Sequence, residues 1–128
     1  MHMLHHLSFA VADIEVASTF YDAALSPLGY KRVYSAPDFV GYGVEEGKDK
    51  FAIASTAQIV TPPAAGFHLA FSAADQSAVD AFYRAAIQHG GTDNGAPGLR
   101  DEYGPDYYAA FVIDPDGYHI EAVINKRG

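Results

Sequence analysis

Two stretches of this sequence, residues 6–11 and 67–71, alternate between large apolar side chains and small or polar ones. A period of two predicts a strand with one face in a core. The apolar faces consist of Leu7, Phe9 and Val11 in the first stretch and of Phe67, Leu69 and Phe71 in the second. His6 and His68 are then expected on the opposite faces, away from the core.

A helix is predicted after each strand. Asp13 and Asp75 are preferred N-cap residues, because an aspartate carboxylate accepts hydrogen bonds from the free amide groups of a first turn. Apolar residues then recur at a spacing of three or four, which is typical of one helix face. They are Val16, Phe20 and Ala24 in the first half and Val79, Phe82 and Ala86 in the second.

The second half of the chain repeats the first. Residues 6–29 and 68–91 align without a gap and share ten identical positions, among them the first histidine and the N-cap aspartate. An internal repeat at a constant offset indicates duplicated structural units. His6 and His68 are therefore equivalent positions of two modules.

Three further strands are predicted after each helix, at residues 30–36, 38–45 and 50–56 and at about 98–103, 107–113 and 118–124. The sequence DPDG at 114–117 suits a type I turn between the last two. Residues 57–66 contain a Pro-Pro pair that cannot continue a ladder, so they form a linker. The prediction is one α+β domain over residues 1–128, with βαβββ modules over about 1–56 and 67–128.

The bulk composition excludes several classes of protein. The 128 residues include only eight Lys and Arg, and the net charge is −8. Both values argue against nucleic acid or an anionic membrane as a partner. No apolar run approaches the ~20 residues of a membrane span, and the first residues lack the features of a signal peptide. There is no Cys, which excludes thiolate sites and fits a cytoplasmic location.

Three residues form a candidate metal site. His6 and His68 point away from the predicted core, and Glu121, in the segment HIEAV, is expected on the same side because Ile120 joins the core. Two imidazoles and a carboxylate suit a divalent ion such as Fe, Mn, Ni or Zn. The residues alone leave open that each His is a hydrogen-bonded core residue and that Glu121 is a surface residue.

With these motifs in place, the chain resembles the vicinal oxygen chelate superfamily, which includes glyoxalase I, fosfomycin-resistance proteins, bleomycin-resistance proteins and extradiol dioxygenases. The resemblance rests on HLSFAVADIEVASTFYDAAL, GFHLAF and AAFVIDPDGYHIEAV. It implies a cup-like, partly open mixed β-barrel of two βαβββ modules with the helices outside. It also implies metal ligands at His6, His68 and Glu121, and a homodimer.

The resemblance implies a metal-dependent enzyme of the lyase, isomerase or dioxygenase type, whose metal binds two oxygens of a small substrate. The alternative is a metal-free drug-binding protein of the bleomycin-resistance type. The match to any one activity is incomplete. The first module has no carboxylate near Ala52 or Ile53, where glyoxalase I has a ligand, and Phe111 stands where fosfomycin-resistance proteins have a Tyr.

Other residues are expected around the metal. Glu121 and Tyr108 are candidate catalytic residues, and Arg100, Tyr103, Tyr107 and Phe111 are candidate substrate-binding residues. For the three Tyr residues, packing within the last hairpin is an equally good interpretation.

The scarcity of basic residues generates a prediction about the substrate. Glutathione adducts and phosphonates need several converging Lys or Arg residues, whereas here only Arg100 is expected near the site. We expect a substrate of low charge, aromatic or carbonyl-bearing. Neither glutathione hemithioacetal nor fosfomycin should be consumed in turnover assays with added divalent metals. Efficient metal-dependent consumption of either compound would contradict this.

Overall fold

The first half of the chain folds as the repeat predicts. The computed structural model describes residues 3–126. Its first module comprises β1 (Leu7–Val11), α1 (Ile14–Leu25), a 3-10 turn (Ser26–Leu28), β2 (Lys31–Ala36), β3 (Phe39–Gly43) and β4 (Phe51–Ser55). The four strands form one sheet in the order β1-β4-β3-β2, in which β1 and β4 are parallel and the other pairs antiparallel.

The second module has the same plan with one interruption. It comprises β5 (Leu69–Ser72), α2 (Gln76–Gln88), β6 (Thr92–Asp93), β7 (Gly98–Leu99), a 3-10 turn (Asp101–Tyr103), β8 (Tyr107–Ile113) and β9 (His119–Asn125). The sheet order is β5-β9-β8-β6, and β7 also pairs with β8. The predicted α+β fold with cup-like, open mixed sheets is confirmed, and the two sheets do not close into a barrel within the chain.

The prediction of a continuous strand over residues 98–103 is wrong. Only Gly98–Leu99 is strand, and Tyr103 lies in the 3-10 turn that follows. The physical reason is local, because the segment from Asn94 to Pro105 contains three Gly and two Pro residues, which bend the chain and withdraw amide donors. Two short strands, β6 and β7, replace the predicted one.

Both helices begin where the sequence predicts. The Asp13 carboxylate accepts hydrogen bonds from the amides of Glu15 and Val16, and the Asp75 carboxylate accepts one from Ala78. The predicted apolar face of α2 is fully buried. In α1 the buried face is shifted by one residue, so Val16 is half exposed and Ala17 and Tyr21 are buried with Phe20 and Ala24.

The helices cover one face of each sheet and bring the modules together. Helix α1 packs against α2, and the residues they bury form one core with the inner faces of both sheets. Gly91, which follows α2, lies close to α1, since a Cβ added there would lie 2.9 Å from the Phe20 ring. The opposite faces of the sheets, which carry His68 and Ser8, remain outside this core. None of the helices among the described residues is long and apolar enough to cross a membrane.

The turn between β8 and β9 connects the second module to the first. The Asp114 side chain, only 4% exposed, accepts the Tyr21 hydroxyl at 2.5 Å on Oδ2 and the amides of Asp116 and Tyr118 on Oδ1. The Asp116 side chain in turn accepts the amide of Ala12, at the end of β1. The DPDG sequence is therefore both a turn and an intermodule contact.

Two tyrosine hydroxyls bond the outer edges of the first strands in the two modules. Tyr118 donates to the carbonyl of Ala10 on β1 at 2.7 Å, and Tyr30 donates to the carbonyl of Ser72 on β5 at 2.8 Å. Ala10 and Ser72 are equivalent positions of the repeat. Each module thus supplies a hydroxyl to a strand edge of the other, where an unpaired carbonyl would otherwise depend on water.

The Asp114 contact generates a stability prediction. Tyr21→Phe removes the donor and leaves a buried carboxylate oxygen without its partner, which costs about 1–3 kcal/mol. Urea denaturation should show that loss in the free energy of unfolding. Tyr34→Phe is the matched control, because Tyr34 is 53% exposed. Equal stabilities of the two variants would refute the role assigned to this contact.

Candidate metal centre

Glu121 lies in the middle of β9, which is flanked by β5 and β8 in the second sheet. In the sheet register it stands beside Ala70 on β5 and Phe111 on β8. Its neighbour Ile120 is buried in the core, so Glu121 points to the opposite face, as the alternation predicts. The Glu121 side chain is nevertheless fully buried, at 0% exposure.

The two oxygens of the Glu121 carboxylate have different surroundings. Oε2 accepts a hydrogen bond from the Tyr107 hydroxyl. Oε1 lies 2.8 Å from Nε2 of His68, but this contact lacks the geometry of a hydrogen bond, and Oε1 is left buried without a hydrogen-bond partner. The structure therefore brings two of the three predicted ligands together and leaves one carboxylate oxygen unsatisfied.

Tyr107 holds the carboxylate from the side away from His68. Its burial, together with the hydrogen bond to Glu121, raises the pKa of the Tyr107 hydroxyl well above its ordinary value. The hydroxyl thus remains a proton donor throughout the physiological range. A donor of this kind fixes the orientation of a ligating carboxylate and leaves the other oxygen free to bind.

Arg100 and Phe111 lie on the same face of the second sheet as Glu121. The Arg100 guanidinium lies 5.3 Å from the centre of the Phe111 ring, and its NH2 group donates to the carbonyl of Ala96 at 2.6 Å. The Phe111 ring is in turn 6.2 Å from the His68 ring. A positively charged group therefore lies over the ring that stands beside Glu121 in the sheet register, and this ring stabilises its position.

Tyr103 completes this group at its rim. Its ring lies 5.1 Å from that of Tyr107, and it is 60% exposed at the tip of the loop between β7 and β8. The structure therefore assembles His68, Glu121, Tyr107, Phe111, Arg100 and Tyr103 on one face of the second sheet.

Tyr108 is not part of this group. It lies beside Ile124 in the register, on the helix side of the sheet, and its hydroxyl donates to the Asp80 carboxylate on α2 at 2.6 Å. Adjacent strand residues point to opposite faces, so Tyr107 and Tyr108 cannot both face Glu121. Tyr108 therefore lies on the opposite face of the sheet from Glu121, which corrects the expectation that it stands beside the candidate ligands.

His6 is not in contact with the Glu121–His68 pair either. It is exposed just before β1, and its Nδ1 lies 2.8 Å from Nδ1 of His5. Within residues 3–126 no three His, Asp or Glu side chains are grouped so that they could hold an ion. One copy of the chain thus presents two of the predicted ligands in one place and the third in another.

The first sheet carries a carboxylate that the sequence pattern did not reveal. Ala52 pairs with Ser8, the repeat equivalent of Ala70, so Ala52 is the counterpart of Glu121. Its neighbour Gly41 has no side chain, and Asp49 occupies that space, with its Cβ 2.6 Å from where a Cβ of Gly41 would be. The available signal was a glycine inside a strand, which marks a close approach.

Oε1 of Glu121 and Nε2 of His68 are suitable ligand atoms for a divalent cation. A buried carboxylate oxygen without a partner is costly, and it faces an imidazole nitrogen across 2.8 Å. Both atoms are common ligands of first-row divalent metals.

A pair of glycines allows a test of the packing between the Gly95 loop, Phe111 and Arg100. Gly95 and Gly104 both have φ of 144°, but a Cβ on Gly95 would lie 3.0 Å from Phe111 and 3.2 Å from the Arg100 guanidinium, whereas one on Gly104 would meet nothing within 4 Å. Gly95→Ala and Gly104→Ala should therefore suffer similar backbone strain. Only Gly95→Ala should shift the ring resonances of Phe111 in NMR spectra. Equal shifts in both variants would rule out the packing described.

Comparisons with known proteins agree with this architecture. The profile of the Glyoxalase/Bleomycin resistance protein/Dioxygenase superfamily matches residues 3–122. A glyoxalase/bleomycin resistance protein from Albidiferax ferrireducens T118 is 34% identical in sequence, with a TM-score of 0.81, and the match covers 95% of this chain and 98% of that one. No curated protein matches the sequence.

Two more distant structures share the fold. The fosfomycin resistance protein FosX from Mesorhizobium loti has a TM-score of 0.69 at 17% identity, and the match covers 98% of this chain and 94% of that chain. A mutant glyoxalase I from Zea mays has a TM-score of 0.67 at 24% identity, over 92% of this chain and 44% of the longer one. On the extent of the profile match and the similarity to the Albidiferax protein, the chain belongs to the glyoxalase/bleomycin resistance protein/dioxygenase superfamily.

Proposed function

We propose that the protein is a metal-dependent enzyme of the lyase, isomerase or dioxygenase type, in which His68, Glu121 and His6 hold a divalent ion. The observation that carries the proposal is the buried Glu121 oxygen that faces His68 without a hydrogen bond. The proposal also rests on the resemblance of the three positions to the ligands of the superfamily.

Burial of Glu121 is the energetic argument. Burial of an ionised carboxylate costs several kcal/mol of hydration free energy unless other groups compensate the charge. The Tyr107 hydroxyl compensates one oxygen only. A cation between Oε1 and the His68 nitrogen would compensate the other and would give this carboxylate a function.

When bound, the metal would act as a Lewis acid that polarises oxygen atoms of a small substrate. The residues of the chain would do the rest. Tyr107 would keep the Glu121 carboxylate oriented, and Arg100 on the Phe111 ring would attract a partial or full negative charge on the substrate. Tyr103 would cover the substrate from the rim, where its ring is exposed.

The position of His6 favours a site shared between two copies. It is exposed and apart from the pair, while the face of the first sheet that carries Ser8 and Ala10 is also exposed. A two-fold homodimer could place the first module of one copy against the second module of the other, which would unite the three ligands twice. We therefore propose a homodimer in which His6 of one copy completes the site of its partner.

A metal-free binding protein is the second candidate. It is favoured by the same separation of His6, because two ligands alone hold a divalent ion weakly. In that case His68 and Glu121 would form an ion pair and the cup would bind a small molecule without turnover. Metal content after gentle purification distinguishes the two candidates.

The ligand assignment predicts the effect of three substitutions. His6→Ala, His68→Ala and Glu121→Gln should each weaken divalent metal binding by at least about tenfold, since even loss of an outer-shell partner costs that much. Equilibrium dialysis with elemental analysis measures the affinity of each variant. His89→Ala is the control, because His89 lies at the end of α2. Wild-type affinity in the three variants would end the proposal.

The shared site predicts complementation between two inactive variants. In a heterodimer of a His6→Ala copy with a Glu121→Gln copy, one site would carry both changes and the other would be intact. Random mixing of equal amounts should therefore restore about one quarter of the sites. Metal content per chain, measured after the variants are refolded together, provides the test. Recovery of none would show that the ligands come from the same copy.

A further inference from the structure

A cavity lies at the seam between the modules. Its volume is about 340 Å³, and it is bounded by the segment before β1, the end of α1, the β3–β4 hairpin and strand β5. Glu121, His68 and Tyr107 do not line it, whereas His6, the third proposed metal ligand, does. We propose that this cavity binds a small amphiphilic carboxylate, with the apolar part inside and the anionic group at the mouth.

The interior of the cavity suits an apolar group. Its walls include Leu7, Leu25, Phe51, Leu69 and Phe71, and the rings of Phe51 and Phe71 meet edge to face at 5.3 Å. The volume lies at the lower end of the range of about 300–1,000 Å³ that is typical of small-molecule sites. An alkyl chain or a single ring would remove this apolar surface from water, which is the main source of affinity.

The charge around the cavity selects an anion. The chain has 16 Asp and Glu residues, yet none of them lines this cavity. Lys50 is the only Lys or Arg among the lining residues. Lys50 is exposed and forms no ion pair within residues 3–126, so its ammonium group is available to a ligand. A carboxylate at the mouth would meet this ammonium group and no acidic side chain of the lining.

The test uses octanoate as the probe and metal-free protein. Isothermal titration calorimetry should show that octanoate binds, and that the neutral octanamide binds at least fivefold more weakly because it lacks the charge. Lys50→Glu should weaken octanoate binding at least fivefold. Lys48→Glu is the matched control, since it makes the same charge change two residues away and does not line the cavity. Equal losses in the two variants would overturn the proposal.

The position of the bound probe separates this site from the Glu121–His68 pair. Octanoate should shift the amide resonances of Leu7, Phe51 and Phe71 in NMR spectra and leave those of Glu121 and Phe111 in place. Glu121→Gln, which should weaken metal binding, should leave octanoate binding unchanged, so failure of one proposal does not imply failure of the other. Shifts centred on Glu121, no heat of binding, or a cavity covered by a second copy that octanoate cannot displace would each refute the inference.

Discussion

The buried carboxylate of Asp114 is the contact on which the arrangement of the molecule depends. It joins the last hairpin of the second module to helix α1 of the first through the Tyr21 hydroxyl, and it closes its own turn by accepting two backbone amides. Burial raises the pKa of this carboxyl, so its charge is costly and the three donors are needed to retain it. Because this turn connects β8 and β9, it also sets the register that places Glu121 beside Phe111.

The duplication preserved the scaffold and let the two outer faces diverge. Ala52 and Gly41 of the first sheet are the register counterparts of Glu121 and Phe111 in the second. The first sheet therefore presents small side chains where the second presents a carboxylate and an aromatic ring. A face of small residues allows Asp49 to lie across Gly41. Of the three proposed ligands, His68 and Glu121 belong to the second module, so the proposed site depends mainly on that module.

The pairing of helices explains why the site is divided. Since α1 and α2 pack against each other, the faces that carry the candidate ligands point away from the shared core. His68 and Glu121 meet because β5 and β9 are neighbours in one sheet, whereas His6 belongs to the other. The proposed dimer and the proposed seam cavity both follow from this packing, one from the outer faces and the other from the gap where the modules meet.

The sequence by itself determined the features that depend on near neighbours. The repeat, the two N-capped helices, the first four strands and the outward direction of Glu121 follow from periodicity and from residues a few positions apart. The tertiary structure decided what depends on distant residues. It broke the predicted strand at residues 98–103, placed Tyr108 against Asp80 on α2, and separated His6 from His68 despite their equivalence in the repeat. The physical reason is that alternation assigns a residue to a face of its own strand, while the partner of that face is chosen by how whole sheets and helices pack.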